Sequence, residues 1–96
     1  MQYNFEWDHQ KASTNVRKHG VTFDRAATVF LDPRILSIFD HENSDVEERW
    51  ISIGIDSNGV LLSVCHTYRQ ELKTSFIIRI FSARKSTAHE IEQYKE

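Results

Sequence analysis

Apolar residues recur at two spacings along the chain, helical in the first third and strand-like in most of the remainder. Tyr3 to Trp7 alternates weakly, as a short strand does. Asp8 suits the N-cap of a helix running to about His19, and Gly20 supplies the left-handed residue that ends one, with Val21 folding back on the last turn. Thr22 suits the N-cap of a second helix, in which Phe23, Ala26, Ala27 and Phe30 fall at i, i+3, i+4 and i+7 and so share one face. Asp32-Pro33 closes it, because the residue before proline avoids helical geometry. Arg34 to Phe39 then reads as a strand. Arg49 to Ile55 alternates, with Ile51, Ile53 and Ile55 on one face. Ser57-Asn58-Gly59 is a turn signal. Val60 to Tyr68 and Thr74 to Ser82 are two further strands, joined across a polar loop from Arg69 to Lys73. Connections this short require antiparallel pairing. Thr87 and Glu90 form a capping box, so a last short helix is expected over about Ala88 to Tyr94.

The expected fold class is therefore α+β: an antiparallel sheet of about four strands, two N-terminal helices and one C-terminal helix, with the helices against one sheet face. With 96 residues and no repeats, low-complexity tract or Pro/Gly-rich linker, one domain over residues 1–96 is expected. A domain of this size buries only about 60–65% of the surface its unfolded chain exposes, which leaves room for one core and a shallow site.

Composition narrows the class further. No stretch approaches the roughly 20 apolar residues that span a bilayer. Met1 to Asp8 lacks a basic region followed by an apolar one, so no signal peptide is expected. The lone cysteine, Cys65, allows no internal disulfide, which suits a reducing cytoplasm. It lies in an apolar strand pattern and reads as packing rather than a nucleophile. The net charge of −2 hides a pattern. Residues 1–31 carry four basic against three acidic groups, residues 32–59 two against seven, and residues 60–96 six against four. A polyanion would be held by the two ends; the competing reading is ordinary solvated surface.

Two basic sets stand out. Lys11, Asn15 and Lys18 share a helix face, with His19 beside them. Lysines with an amide can bind phosphates without reading sequence, or can simply be a solvated face. Arg79 sits inside an apolar strand, where a guanidinium must leave the core or find an anion. With Arg84, Lys85 and the loop residue Arg69 it can converge near one sheet edge and grip a phosphate. The alternative pairs these groups with the acidic middle, for example Glu47 or Glu48 with Arg79. There is no glycine-rich phosphate loop and no metal-ligand spacing. Asp40, His41, Glu42 and Asp45 lack the glycine of a calcium loop. No cofactor or metal is expected.

In order, Phe5-Glu6-Trp7-Asp8, Lys11, Asn15, Lys18-His19-Gly20-Val21, Phe23, Ala26, Val29-Phe30 and Asp32-Pro33 resemble the BrnT toxin family. So do Glu48-Arg49, Ile53-Gly54, the Arg69 region, Arg79-Ile80 and Ser82-Ala83-Arg84-Lys85 with Thr87, Glu90 and Tyr94. The glycine usual before the Glu-Arg pair is Glu47 here. The resemblance implies a RelE-like fold and a type II toxin–antitoxin toxin that cleaves RNA and arrests translation. It also implies a DNA-binding BrnA-type antitoxin, with two toxins per antitoxin dimer and operator DNA touched only through the antitoxin. On this reading Arg69, Arg79 and Arg84 are the catalytic residues, and Lys11, Lys18, His19 and Lys85 bind RNA. Cleavage by the 2′-hydroxyl would then need no metal. Arginine is a poor proton carrier, so the base and acid stay open. His19 and His66 titrate in the right range, but His66 lies on a buried strand and Tyr94 reads as packing. The rivals are a non-catalytic module that binds nucleic acid or antitoxin through the same arginines, and a scaffold whose sheet edge recruits a partner.

Overall fold

The computed structural model describes residues 2–96; Met1, the first residue of the opening read for a signal peptide, lies outside them. The strands are β1 (Gln2–Glu6), β2 (Leu36–Phe39), β3 (Trp50–Ile55), β4 (Leu61–Leu72) and β5 (Ser75–Lys85). The helices are α1 (His9–His19), α2 (Phe23–Thr28), continued by a 3-10 turn at Val29–Leu31, and α3 (Ala88–Lys95). Local chemistry sets the helix ends. The Asp8 carboxylate accepts the Lys11 N–H, and Gly20 terminates α1 at φ 69° with its N–H on the Val16 carbonyl. The Thr22 hydroxyl caps α2 and the Thr87–Glu90 capping box opens α3.

The strand order is β1-β5-β4-β3-β2, antiparallel except for β1, which runs parallel to β5. The sheet thus has five strands rather than about four, and it is mixed. A parallel neighbour needs a long crossover; here everything from α1 to β4 intervenes before the chain returns beside β1. The loop expected at Arg69 to Lys73 is shorter. β4 extends to Leu72, because Arg69 pairs with Ile77 and Gln70 with Phe76, and only Lys73 and Thr74 make the turn.

Partners in a ladder share a sheet face. On the first face Leu62, Val64, Ile78, Ile80 and Ala83 pack with Val21, Phe23, Ala26 and Val29 into one fully buried cluster. Tyr3, Phe5, Trp7 and Phe30 close its rim. Ser52 and Gly54 lie on this face of β3, where the backbone beneath Val29 is close: a β-carbon at Gly54 would lie 2.8 Å from Val29 Cγ1. The three isoleucines of β3 therefore point to the second face. The helices do not all cover one side, as the sequence suggests. α3 lies across the second face, where Ile53 is buried and the Ser63 hydroxyl meets Glu90. It covers only part of that face: the uncovered part carries Arg69 and Arg79, and Arg84 stands at the border, bonded to Glu90 of α3.

Candidate functional site

Arg69, Arg79 and Arg84 share the second face of adjacent central strands. Arg79 pairs with Thr67, and Arg84 with Ser63. Arg79 is flanked by strands on both sides and Arg69 is paired with β5 within the sheet, whereas Arg84 stands where β5 has outrun β1 and is paired only with β4. Arg69 projects from β4 and not from a loop. Their counter-ions also differ from the expected acidic middle. Arg79 Nη1 donates to Glu6 Oε2 at 2.9 Å, and Arg69 Nη2 lies 3.7 Å from Glu6 Oε1. One carboxylate thus serves two guanidinium groups. Arg84 grips Glu90 with both terminal nitrogens, at 2.7 and 3.0 Å. Burial alone would raise the Glu90 pKa. The bonds from Arg84, the Thr87 N–H and Ser63 outweigh it and hold the carboxyl at about 2. Arg84 is raised in turn by its bond to Glu90.

The second basic set lies beside this face. Lys11, Lys18 and His19 line a groove of about 430 Å3 with Gln10, Phe81 and Ser82. Asn15 is in its wall, but its amide is not available for phosphate. It is 4% exposed and donates to the carbonyls of Val21 and Ala83 while accepting the Ala83 N–H. β1 ends opposite Arg79, so β5 has no strand partner on that side beyond it. The Asn15 side chain supplies the missing bonds to Ala83. Lys85 does not join the arginines, because alternation turns it from the face of Arg84 toward that of its partner Leu62.

Two residues with no assigned role link the sets. Phe81 is the extra residue of a bulge, since Cys65 faces Ser82 and His66 faces Ile80. Its ring lies 3.9 Å below the Arg49 guanidinium carbon and 5.5 Å from Lys11 Nζ. The only sequence signal for the contact is an arginine opening a strand and a phenylalanine on the arginine-bearing strand; neither reveals the other.

His66 is a core histidine. It is 2% exposed, edge-on to Phe30, and its Nε2 shares a hydrogen with the Ser52 hydroxyl at 2.6 Å. Burial lowers its pKa, so it stays neutral. Burial and the neighbouring Asp40 push the Cys65 thiol up, away from nucleophilic thiolate. The Tyr94 hydroxyl donates to Asp32, which raises its pKa and pins the end of α3. His19, in the groove wall, is exposed. The acidic loop folds on itself: Asp40 accepts from the Asn43 amide, and Ser44 donates to the Asp40 carbonyl. Among the described residues no three His, Cys, Asp or Glu side chains gather as metal ligands.

Comparison with known proteins gives two findings. Residues 7–90 match the family model described as the ribonuclease toxin BrnT of type II toxin–antitoxin systems. The crystal structure of the Brucella abortus ribonuclease toxin BrnT is similar in fold, with a TM-score of 0.59 at 20% identity over 91% of this chain and 99% of that one. No curated protein matches the chain.

Proposed function

Because the chain belongs to the BrnT family of ribonuclease toxins of type II toxin–antitoxin systems, we propose that it is a metal-independent endoribonuclease whose phosphate site is the arginine face of β4 and β5. The observation that carries the reading is the shared face: Arg69, Arg79 and Arg84 all stand on the second face, the first two on the part that α3 leaves open and Arg84 at its border with α3. A 2′-hydroxyl attacks the adjacent phosphorus. The new O–P bond closes a 2′,3′-cyclic phosphate, the bond to the 5′-oxygen breaks, and a proton passes from the attacking to the leaving oxygen. Negative charge grows on the phosphoryl oxygens. A fixed donor there is worth about 2.7–4 kcal/mol. Arg79 and Arg84 fill that role, with Arg69 closing over the phosphate and Lys11, Lys18 and His19 holding the RNA backbone beside it; Lys85, turned to the other face, is not part of this site.

In the free chain Glu6 and Glu90 occupy the guanidinium groups, so a substrate phosphate competes with a carboxylate. The same fact favours a second reading, a non-catalytic module that takes nucleic acid or the carboxylates of a partner. The partner in this proposal is a BrnA-type antitoxin, two toxins to an antitoxin dimer, masking the arginine face in the cytoplasm. Incubation of the purified chain with labelled RNA in excess chelator separates the readings. Cleavage with a cyclic-phosphate end is expected, and RNA retained intact supports the module instead. Arg79→Ala or Arg84→Ala should lower turnover about 10²–10³-fold while the variants still melt cooperatively. Wild-type cleavage by both soluble variants would overturn the assignment. Loss of cleavage in chelator, restored by a divalent ion, would overturn the metal-independent route.

A further inference from the structure

Arg49 differs from the other arginines of this face. Its backbone is fixed: the N–H donates to Ser44 Oγ at 3.0 Å and the carbonyl accepts the Asp40 N–H at 2.8 Å. Its guanidinium carbon lies over the Phe81 ring, 3.9 Å from the centroid. Arg79 and Arg84 have carboxylates at 2.7–3.0 Å, whereas the carboxylate beside Arg49 is that of Glu47, at 3.7 Å. Its Nε is buried and has no acceptor. A buried N–H without a partner destabilises the folded chain. An apolar side chain of similar bulk would pack on Phe81 without that cost, so stability does not account for an arginine here. The position does. Phe81 belongs both to this stack and to the wall of the Lys11–Lys18–His19 groove. Phe81 lies on β5 between Arg79 and Arg84, which places Arg49 beside the arginine face.

We propose that Arg49, held over the Phe81 ring, is a further RNA-binding residue that grips a backbone phosphate between the α1 groove and the Arg79–Arg84 site. This rests on the RNA-cleaving function proposed above. The terminal nitrogens, of which Nη2 stands 3.7 Å from Glu47, take the phosphate, and a guanidinium presents its N–H groups as a planar fork. Phe81 acts through Arg49 as a positioning residue. Its ring fixes the plane of the fork, and the Lys11 ammonium beside the same ring continues the path toward Lys18.

The test uses a single-stranded RNA oligonucleotide with 2′-O-methyl groups, which binds but offers no attacking hydroxyl, followed by fluorescence anisotropy across a salt series. Arg49→Met should weaken binding about tenfold and reduce the salt slope by about 1, while melting no lower than the wild type. Arg49→Lys should keep the slope and recover only part of the affinity, because an ammonium cannot reproduce the fork. Phe81→Leu should weaken binding by a smaller factor with the slope unchanged. Wild-type affinity and slope in Arg49→Met would overturn the inference, as would full affinity in Arg49→Lys. If Arg49→Met fails to fold, the stability argument falls, and Arg49→Lys decides the contact. If the wild-type chain neither binds nor cleaves RNA, the ribonuclease reading fails first and this one with it; an active wild type with an unaffected Arg49 variant refutes this one alone.

Discussion

Glu90 is where three parts of the molecule meet. Its oxygens take both terminal nitrogens of Arg84 on β5, the Ser63 hydroxyl on β4 and the Thr87 N–H that starts α3. Its carboxyl titrates at about 2 in the folded chain against an ordinary 4.5. A depressed carboxyl favours folding fully above its unfolded pKa, and the contribution fades as the pH falls through the folded one. The stability that Glu90 provides is thus present above about pH 4.5 and is lost between there and about pH 2. Glu90→Gln should lower the melting temperature at pH 6, and the gap to the wild type should close on acidification toward pH 2. A gap constant across that range would mean that the ion pair is not what stabilises. The capping box that includes Glu90 is readable from Thr87 and Glu90 alone, three residues apart. That the same carboxylate binds Arg84 depends on where α3 lands, which local spacing does not specify.

At the scale of elements, β5 is the organising strand, and its two sides are satisfied differently. β1 covers it from Ser75 to Arg79, and beyond that point the Asn15 amide bonds both backbone groups of Ala83. One side chain of α1 thus continues the work of a strand and ties α1 to the Val21 carbonyl as well. Asn15→Ala should cost on the order of 3 kcal/mol, since it leaves buried backbone groups unpaired. Urea unfolding measures this, and a loss below about 1 kcal/mol would show that water replaces the amide at little cost. The helix pattern correctly puts Asn15 on the face of Lys11 and Lys18. It cannot show that this amide meets a strand 68 positions further on, because periodicity reports only which residues of one helix are neighbours.

For the whole molecule, the sheet's two faces have separate duties. α1 and α2 build the core on one side. α3 covers part of the other and leaves a basic region open, although the net charge is −2. Two of the seven acids of the middle are spent internally: Asp56 pairs with Arg25 and Asp32 takes the Tyr94 hydroxyl. A masking antitoxin that brings carboxylates to Arg79, Arg84 or Lys18 should therefore associate at a rate that falls steeply with ionic strength. Stopped-flow association across a salt series measures this, and a rate indifferent to salt would remove charge from the recognition. Charge pairs at such an interface are worth about 1.5–7 kcal/mol or nearly nothing, depending on desolvation. Affinity should accordingly rest on an apolar anchor.

The sequence by itself determined what is local. Asp8, Gly20, Thr22 and the Thr87–Glu90 pair mark helix ends within one residue of where they fall, because capping is a bond between near neighbours in the chain. Alternation likewise identified β3, β4 and β5, and with them the strand that carries Arg79. The tertiary structure decided the rest. Residues 2 and 75 pair in parallel, the Arg69 loop is strand, α3 takes the opposite face, and Arg49 meets Phe81. Each of these joins positions far apart in sequence, and none is encoded in a spacing. Even the arginines' partners follow from this: Glu6 reaches Arg79 across 73 positions, not because of local charge but because burying the apolar side of β1 against α2 leaves its other side beside β5.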